Sequence, residues 1–293
     1  MNRREVLLVF TSVSASLSTP TWSADDNPWA SIRQIEARVG GRLGLYVLDT
    51  STGKTIEHRP DERFALCSTF KWLLAAQLLA NVDRGSCSLE ETVEYNYSDL
   101  LDYAPVTSKH VEQGRLTLDE LARAIITVSD NTAANLILRR LGGPQAFTAY
   151  ARSLGDSTTR LDRNEPELNS NTKNDLRDTT TPRAMVTALQ SVFIGNALSQ
   201  FSRARLLGWL IACETGHNRL RGGLPKVWSV GDKTGSGGNN AANDVAVALP
   251  PGRKPILIAA YMSESMSDMQ MLNTAHVDVA RTIARTFGPG NDA

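Results

Sequence analysis

Cysteine is scarce. The 293 residues contain three, Cys67, Cys87 and Cys213, an odd number with no C-x-x-C pair, so a disulfide framework is excluded. The four histidines, His58, His110, His217 and His276, stand at no H-x-x-x-H or similar spacing, which leaves a zinc hydrolase without a ligand set. No metal and no other cofactor is expected. Neither sign of charge is in excess: Lys+Arg and Asp+Glu both number 31, a balance that points to neither nucleic acid nor an anionic membrane. Internal repeats, low-complexity tracts and long flexible linkers are also missing. What remains is ordinary globular material, 41% hydrophobic and 21% charged, enough for one large domain or two intertwined lobes. The expected partner is a small molecule and the expected state a monomer.

The first two dozen residues differ from the rest. Arg3 and Arg4 precede the apolar run Val6-Leu7-Leu8-Val9-Phe10, and small residues then lead to Ser23-Ala24 before the acidic Asp25-Asp26. That is the layout of an export signal with a cleavage site, so residues 1–24 are expected to be removed. The apolar run is far below the roughly 20 residues needed to span a bilayer, and no stable membrane insertion is expected. The adjacent arginines leave both the general and the twin-arginine route open, and either ends in the periplasm or the exterior.

Secondary-structure signals fall into three blocks. Residues 42–49 alternate as a strand, Ser51-Thr52-Gly53 reads as a turn, and residues 54–58 return as a second strand. Helical signals follow over residues 70–82, 117–128, 132–141, 144–154, 182–194 and 199–211. Residues 227–230, 244–249 and 256–262 are β-rich, with Pro250-Pro251-Gly252 turning the last two, and residues 268–287 form a closing helix. Strands at both chain ends with helices between them predict an α+β fold, an α/β/α sandwich. Its antiparallel sheet comes from residues 25–66 and 214–293, with an all-helical lobe, residues 67–213, inserted and the active site in the cleft between them.

The chemistry is carried by four short patterns. Ser68-Thr69-Phe70-Lys71 opens a helix, and a spacing of three residues puts hydroxyl and amine on one face. A serine hydroxyl is inert at neutral pH unless a base takes its proton, and a lysine serves only if desolvation lowers its pKa. The helix behind Lys71 is apolar nearly all round, which marks it as buried, and its N-terminus offers free N–H groups to an oxyanion. Ser51-Thr52-Gly53-Lys54 has the same spacing but sits in a hairpin turn with no helix behind it, and reads as a solvated turn. Ser129-Asp130-Asn131 on its own is a helix cap, and Lys233-Thr234-Gly235-Ser236 on its own a strand end. Glu165-Pro166-Glu167-Leu168-Asn169 lies in a polar, irregular stretch over residues 160–178, of a length at which compact loops are often functional.

In this order S-x-x-K, S-D-N and K-T-G resemble the signatures shared by class A serine β-lactamases and penicillin-binding proteins. The E-x-x-x-N of the loop matches the β-lactamases and is missing from the penicillin-binding proteins, and the resemblance covers the whole mature chain. It implies hydrolysis of the β-lactam ring of penicillins and cephalosporins through an acyl-serine intermediate, and with it antibiotic resistance. Residue roles follow from the resemblance. Ser68 is the nucleophile, Lys71 and Glu165 share base duty in acylation, and Glu165 with Asn169 activates the deacylating water. Ser129 passes a proton to the leaving nitrogen. The backbone N–H groups of Ser68 and Ser236 form the oxyanion hole, Lys233, Thr234 and Ser236 hold the substrate carboxylate, and Asn131 holds the acylamide.

Further matches extend the site. Arg219 and Thr215 fall beside the expected carboxylate pocket, against the alternative of a surface arginine, and Tyr103 resembles the aromatic wall of the entrance, against plain packing. Arg163 and Asp178 resemble the ion pair that closes the loop, and the Glu165-Pro166 bond is cis in the family. One departure stands out: members with a cysteine just before the nucleophile, as Cys67 is here, often bridge it to a cysteine shortly after K-T-G, and these include carbapenem hydrolysers. Ser236-Gly237-Gly238 stands there instead, so Cys67 reads as a small buried hydrophobe and carbapenem hydrolysis stays open. The competing readings are a D,D-peptidase, which lacks the Glu165 loop, and a β-lactam sensor, which needs a membrane span and no deacylating base.

Overall fold

The computed structural model describes residues 27–288, so the export signal expected over residues 1–24 lies outside the described residues. The chain begins with α1 (Pro28–Val39), where Asn27 accepts from the N–H groups of Trp29 and Ala30 and Pro28 takes the first-turn position that needs no donor. This helix went unread in the sequence. Beyond the buried Pro28, its buried Ile32, Ile35 and Val39 make a thin stripe.

The main sheet joins β1 (Arg42–Asp49), β2 (Thr55–His58), β7 (Ser229–Gly237), β8 (Ala241–Leu249) and β9 (Ile256–Ser263), paired in the order β2-β1-β9-β8-β7 and antiparallel throughout. Both chain ends therefore build one sheet, as expected. All eight residues of β9 are buried, which requires cover on both faces. Alternate residues serve different cores: Leu257, Ala259 and Tyr261 join the helical side, while Ile256, Ile258, Ala260 and Met262 join α1 and α9 (Met269–Phe287). That is the three-layer sandwich the sequence predicts.

The inserted segment carries α2 (Phe70–Asp83), α3 (Leu118–Thr127), α4 (Asn131–Leu141), α5 (Gly143–Ser153), α6 (Pro182–Phe193) and α7 (Gln200–Ile211). Loops and 3₁₀ turns join these helices, and two short ladders lie in or beside the segment. One pairs β4 (Thr92–Glu94) with β5 (Arg115–Thr117), and the other pairs β3 (Phe64–Ala65) with β6 (Thr179–Thr180). At two or three residues each, such strands carry no readable periodicity. Helix α2 is the axis of this lobe. Every residue from Phe70 to Ala80 is buried, and Lys71 and Gln77 are the polar members of that run. Phe70 meets Phe147 edge to face at 6.0 Å, and Trp72 meets Phe193 at 6.4 Å, so the aromatic rings tie α2 to α5 and α6. A short α8 (Leu220–Gly223) leads from the helical lobe back to the sheet.

Candidate active site

The site forms where the start of α2 meets β7. A 3₁₀ turn, Cys67–Thr69, leads into α2, and Cys67 sits at φ 44°, a left-handed conformation that costs a non-glycine residue strain and aims Ser68 at the cleft. Gly235 of β7 packs against this turn: a Cβ there would stand 3.0 Å from Thr69 N and 3.1 Å from Leu66 O. The K-T-G glycine is therefore demanded by close approach of two backbones.

From the half-buried Ser68 hydroxyl the charged groups run inward. Lys71 Nζ donates to Ser68 Oγ at 3.0 Å, to Ser129 O at 2.8 Å and to Asn131 Oδ1 at 2.5 Å, and lies 3.0 Å from Glu165 Oε1. Burial pushes the Lys71 amine below its usual pKa, and the Glu165 carboxylate pulls it part of the way back. Ser68 Oγ is 3.5 Å from Glu165 Oε1, so the hydroxyl has an amine and a carboxylate within reach. Lys233 Nζ donates to Ser129 Oγ at 3.1 Å and to Thr234 O at 2.8 Å. Its pKa is pushed down to about 8, first by burial, with Lys71 adding to the depression. Ser129 thus stands between two lysines, Lys71 Nζ being 3.3 Å from its Oγ.

Asp130 is the helix cap that an isolated S-D-N would be: its carboxylate accepts from Ala133 N at 2.8 Å at the start of α4. It also accepts from Val106 N and Thr107 N, both at 2.9 Å, and so moors the loop that carries Tyr103. Tyr103 is 51% exposed at the rim, where a packing role would bury it.

Glu165 is buried, 2% exposed, although its loop is polar. Asn169 Nδ2 donates to Glu165 Oε2 and to Pro166 O, and the Glu165-Pro166 peptide is cis. The backbone of Glu165 is clamped by Asn135, whose Oδ1 accepts from Glu165 N at 2.9 Å and whose Nδ2 donates to Glu165 O at 2.8 Å. Sequence reasoning passed over Asn135. The available signal was its place one turn after Asn131 on α4, which gives both amides the same face. The loop is closed at its base by Arg163 and Asp178, paired at 2.5 Å, and at its tip by Gly238 N donating to Asn169 O at 2.8 Å.

The opposite wall belongs to β7. Thr234 Oγ1 and Thr215 Oγ1 lie 2.6 Å apart. Arg219 is buried, not a surface arginine, and donates to Ser236 Oγ at 2.7 Å, to Gly235 O at 2.8 Å and to Asn243 O at 2.6 Å. Ser68, Ser129, Asn131, Asn169, Thr234 and Ser236 line an open cleft of about 340 Å³, to which Tyr103, Thr215 and Arg219 contribute edges. Residues scattered over some 170 positions of sequence thus converge on one hydroxyl. Ser51-Thr52-Gly53-Lys54 does not join them: its residues are exposed, with Gly53 at φ 74° in the β1–β2 turn.

Comparison with known proteins supplies the family. The β-lactamase enzyme family matches residues 27–287, the described chain almost end to end. The chain belongs to the class A β-lactamase family. It is 47% identical to the β-lactamase L2 of Stenotrophomonas maltophilia, over 87% of this chain and 84% of that protein. It is 45% identical to the β-lactamase AST-1 of Nocardia asteroides, over 87% of this chain and 82% of that protein. Among solved structures, an ancestral class A β-lactamase covers 89% of this chain and is itself fully covered, at 52% identity and a TM-score of 0.87. The chain is a β-lactam hydrolase of the kind that confers resistance, and the class A enzymes work through an acyl-serine.

Proposed function

We propose that hydrolysis by this β-lactamase uses Ser68 as nucleophile and Glu165 as the base of the second step. The observation that carries the reading is the position of Ser68 Oγ, 3.0 Å from Lys71 Nζ and 3.5 Å from Glu165 Oε1. In acylation Ser68 Oγ bonds to the lactam carbonyl carbon and its proton passes to the Lys71–Glu165 pair, which share base duty. The C–N bond of the ring breaks and Ser129 delivers a proton to the leaving nitrogen, resupplied by Lys71. The backbone N–H groups of Ser68 and Ser236 are assigned to the oxyanion.

In deacylation a water gives its proton to Glu165 and its oxygen to the acyl carbon, and Ser68 leaves with its proton restored. Asn169 Oδ1 is buried without a protein partner among the described residues, which supports Asn169 as an acceptor for that water. Lys233, Thr234 and Ser236, with Arg219 and Thr215 behind them, receive the substrate carboxylate. Asn131 takes the acylamide and Tyr103 flanks the entrance. We assign residues 25–66 and 214–293 to one lobe and residues 67–213 to the other, so that each lobe supplies one wall.

The enzyme is placed in the periplasm or outside the cell as a monomer after removal of residues 1–24. Among the described residues no helix is long and apolar enough to cross a membrane. Steady-state hydrolysis of a penicillin, a cephalosporin and a carbapenem, measured side by side on wild type and Ser68→Ala, tests the reading. Turnover of at least the first two that vanishes in the variant supports it; turnover that survives in Ser68→Ala contradicts it.

A further inference from the structure

A thiol lies one hydrogen bond behind the carboxylate end of the cleft. Cys213 follows α7 and is buried, 1% exposed. Its Sγ is 3.3 Å from Thr215 Oγ1, which is in turn 2.6 Å from Thr234 Oγ1. The segment is fixed on both sides, by Cys213 N donating to Leu210 O at 3.1 Å and Glu214 N donating to Thr127 O at 2.9 Å. The three side chains therefore form a short relay that starts behind the cleft at Cys213 and opens into it at Thr215 and Thr234.

Proton counting gives the relay a direction. A threonine hydroxyl has one proton to give, and a carboxylate only accepts. For Thr234 to donate to a substrate carboxylate, its oxygen must receive the proton of Thr215. The oxygen of Thr215 then needs a donor of its own, and the group placed to supply one is the Cys213 thiol. Burial pushes the pKa of that thiol up, which keeps it in the S–H form that can donate. The neighbouring acid does not compete: Asp232 Oδ1 takes the Arg221 guanidinium, and Asp232 Oδ2 has no hydrogen-bond partner among the described residues.

We propose that Cys213 is a positioning residue whose S–H orders the relay Cys213→Thr215→Thr234 and turns the Thr234 proton toward the substrate carboxylate. This rests on the reading of Thr234 as a carboxylate ligand. Without a thiol proton nothing orders the pair, and Thr215 can accept from Thr234 instead, which turns a lone pair toward the substrate.

The test compares benzylpenicillin with its methyl ester, which has no anionic carboxylate. Cys213→Ala is expected to raise KM for benzylpenicillin about fivefold, the worth of one neutral hydrogen bond. Its kcat/KM for the ester is expected to match wild type, and Cys213→Ser, which keeps a donor, is expected to restore the acid preference. Cys213→Val is a second donor-free variant of apolar bulk, and thermal unfolding of each variant checks that it folds. A loss equal on acid and ester, or no loss in either donor-free variant, overturns the relay. Thr234→Val separates the two layers of the argument. If it lowers acid and ester equally, the carboxylate reading itself fails, whereas an acid-selective loss there with none from Cys213→Ala removes Cys213 alone.

Discussion

Arg163 and Asp178 hold the two ends of the loop that carries Glu165: Nε of Arg163 lies 2.5 Å from Oδ2 of a fully buried Asp178. The carboxylate also accepts from the backbone N–H groups of Asp162 at 2.7 Å and Arg163 at 2.9 Å, so one side chain fixes both the charge and the path of the chain. Surface ion pairs contribute little, but removing one partner of a buried pair is costly.

Asp178→Asn should therefore destabilise the protein by about 1–3 kcal/mol, below the scale for a fully buried pair because Arg163 is partly exposed and has Asp175 3.7 Å away. It should also slow penicillin turnover, because a shift of about 1 Å in Glu165 is enough for roughly 100-fold. Thermal unfolding, steady-state rates and limited proteolysis of residues 160–178 check this, and unchanged values in all three would speak against the pairing as the loop's clasp.

Lys233 gives the site a pH dependence with a defined sign. Its amine is charged below about 8 and neutral above, because burial disfavours the cation. The kcat/KM for benzylpenicillin should therefore fall on an alkaline limb near pH 8, carried by KM, since a bound carboxylate favours the charged lysine. Lys233→Arg should move that limb to higher pH. A profile with the same limb for the methyl ester of benzylpenicillin would trace it to another group.

Gly237 is pinned between the loop and the nucleophile turn. A Cβ on it would stand 2.6 Å from Asn169 O and 2.7 Å from Cys67 Sγ, so one of them must give way. Gly237→Ala should lower stability by about 1–3 kcal/mol, as overpacking does, and loosen Asn169. Thermal unfolding together with proteolysis of the loop reads both effects; a variant as stable as wild type with an equally protected loop would mean that the contact relaxes freely.

The export reading predicts an N-terminus near Ala24 or Asp25 for protein recovered from the periplasm, because the apolar run after Arg3-Arg4 ends in small residues. Intact-mass measurement decides it, and a full-length chain held in the cytosol contradicts it.

What could be read in advance follows from range. Ser68 and Lys71 sit within one helical turn, and the continuous apolar run of α2 and the one-sided apolar faces of α3 to α6 are local signals. Asn135 acts on Glu165, 30 residues away; its place one turn after Asn131 puts it on the site face of α4, but nothing local names Glu165 as its partner. Asp178 is buried and its carboxylate is held by the backbone amides of residues 162 and 163, partners that no side-chain pattern encodes. Helix α1 was missed for the opposite reason: Asn27-Pro28 is a sound start signal, but after Pro28 only Ile32, Ile35 and Val39 are buried, which makes a weak stripe.

The most direct test of the two-step account is intact-protein mass spectrometry after mixing with benzylpenicillin. In Glu165→Ala, Ser68 keeps Lys71 Nζ at 3.0 Å and loses the base that activates the second-step water. The variant should accumulate a persistent adduct of the drug's full mass, while the wild type shows only a fleeting one. Ser68→Ala should show none, and Ser51→Ala should behave as wild type because Ser51 lies in an exposed turn. A wild type that holds the adduct for hours, or a Glu165→Ala variant that clears it as fast as wild type, would contradict the assignment of Glu165 to deacylation.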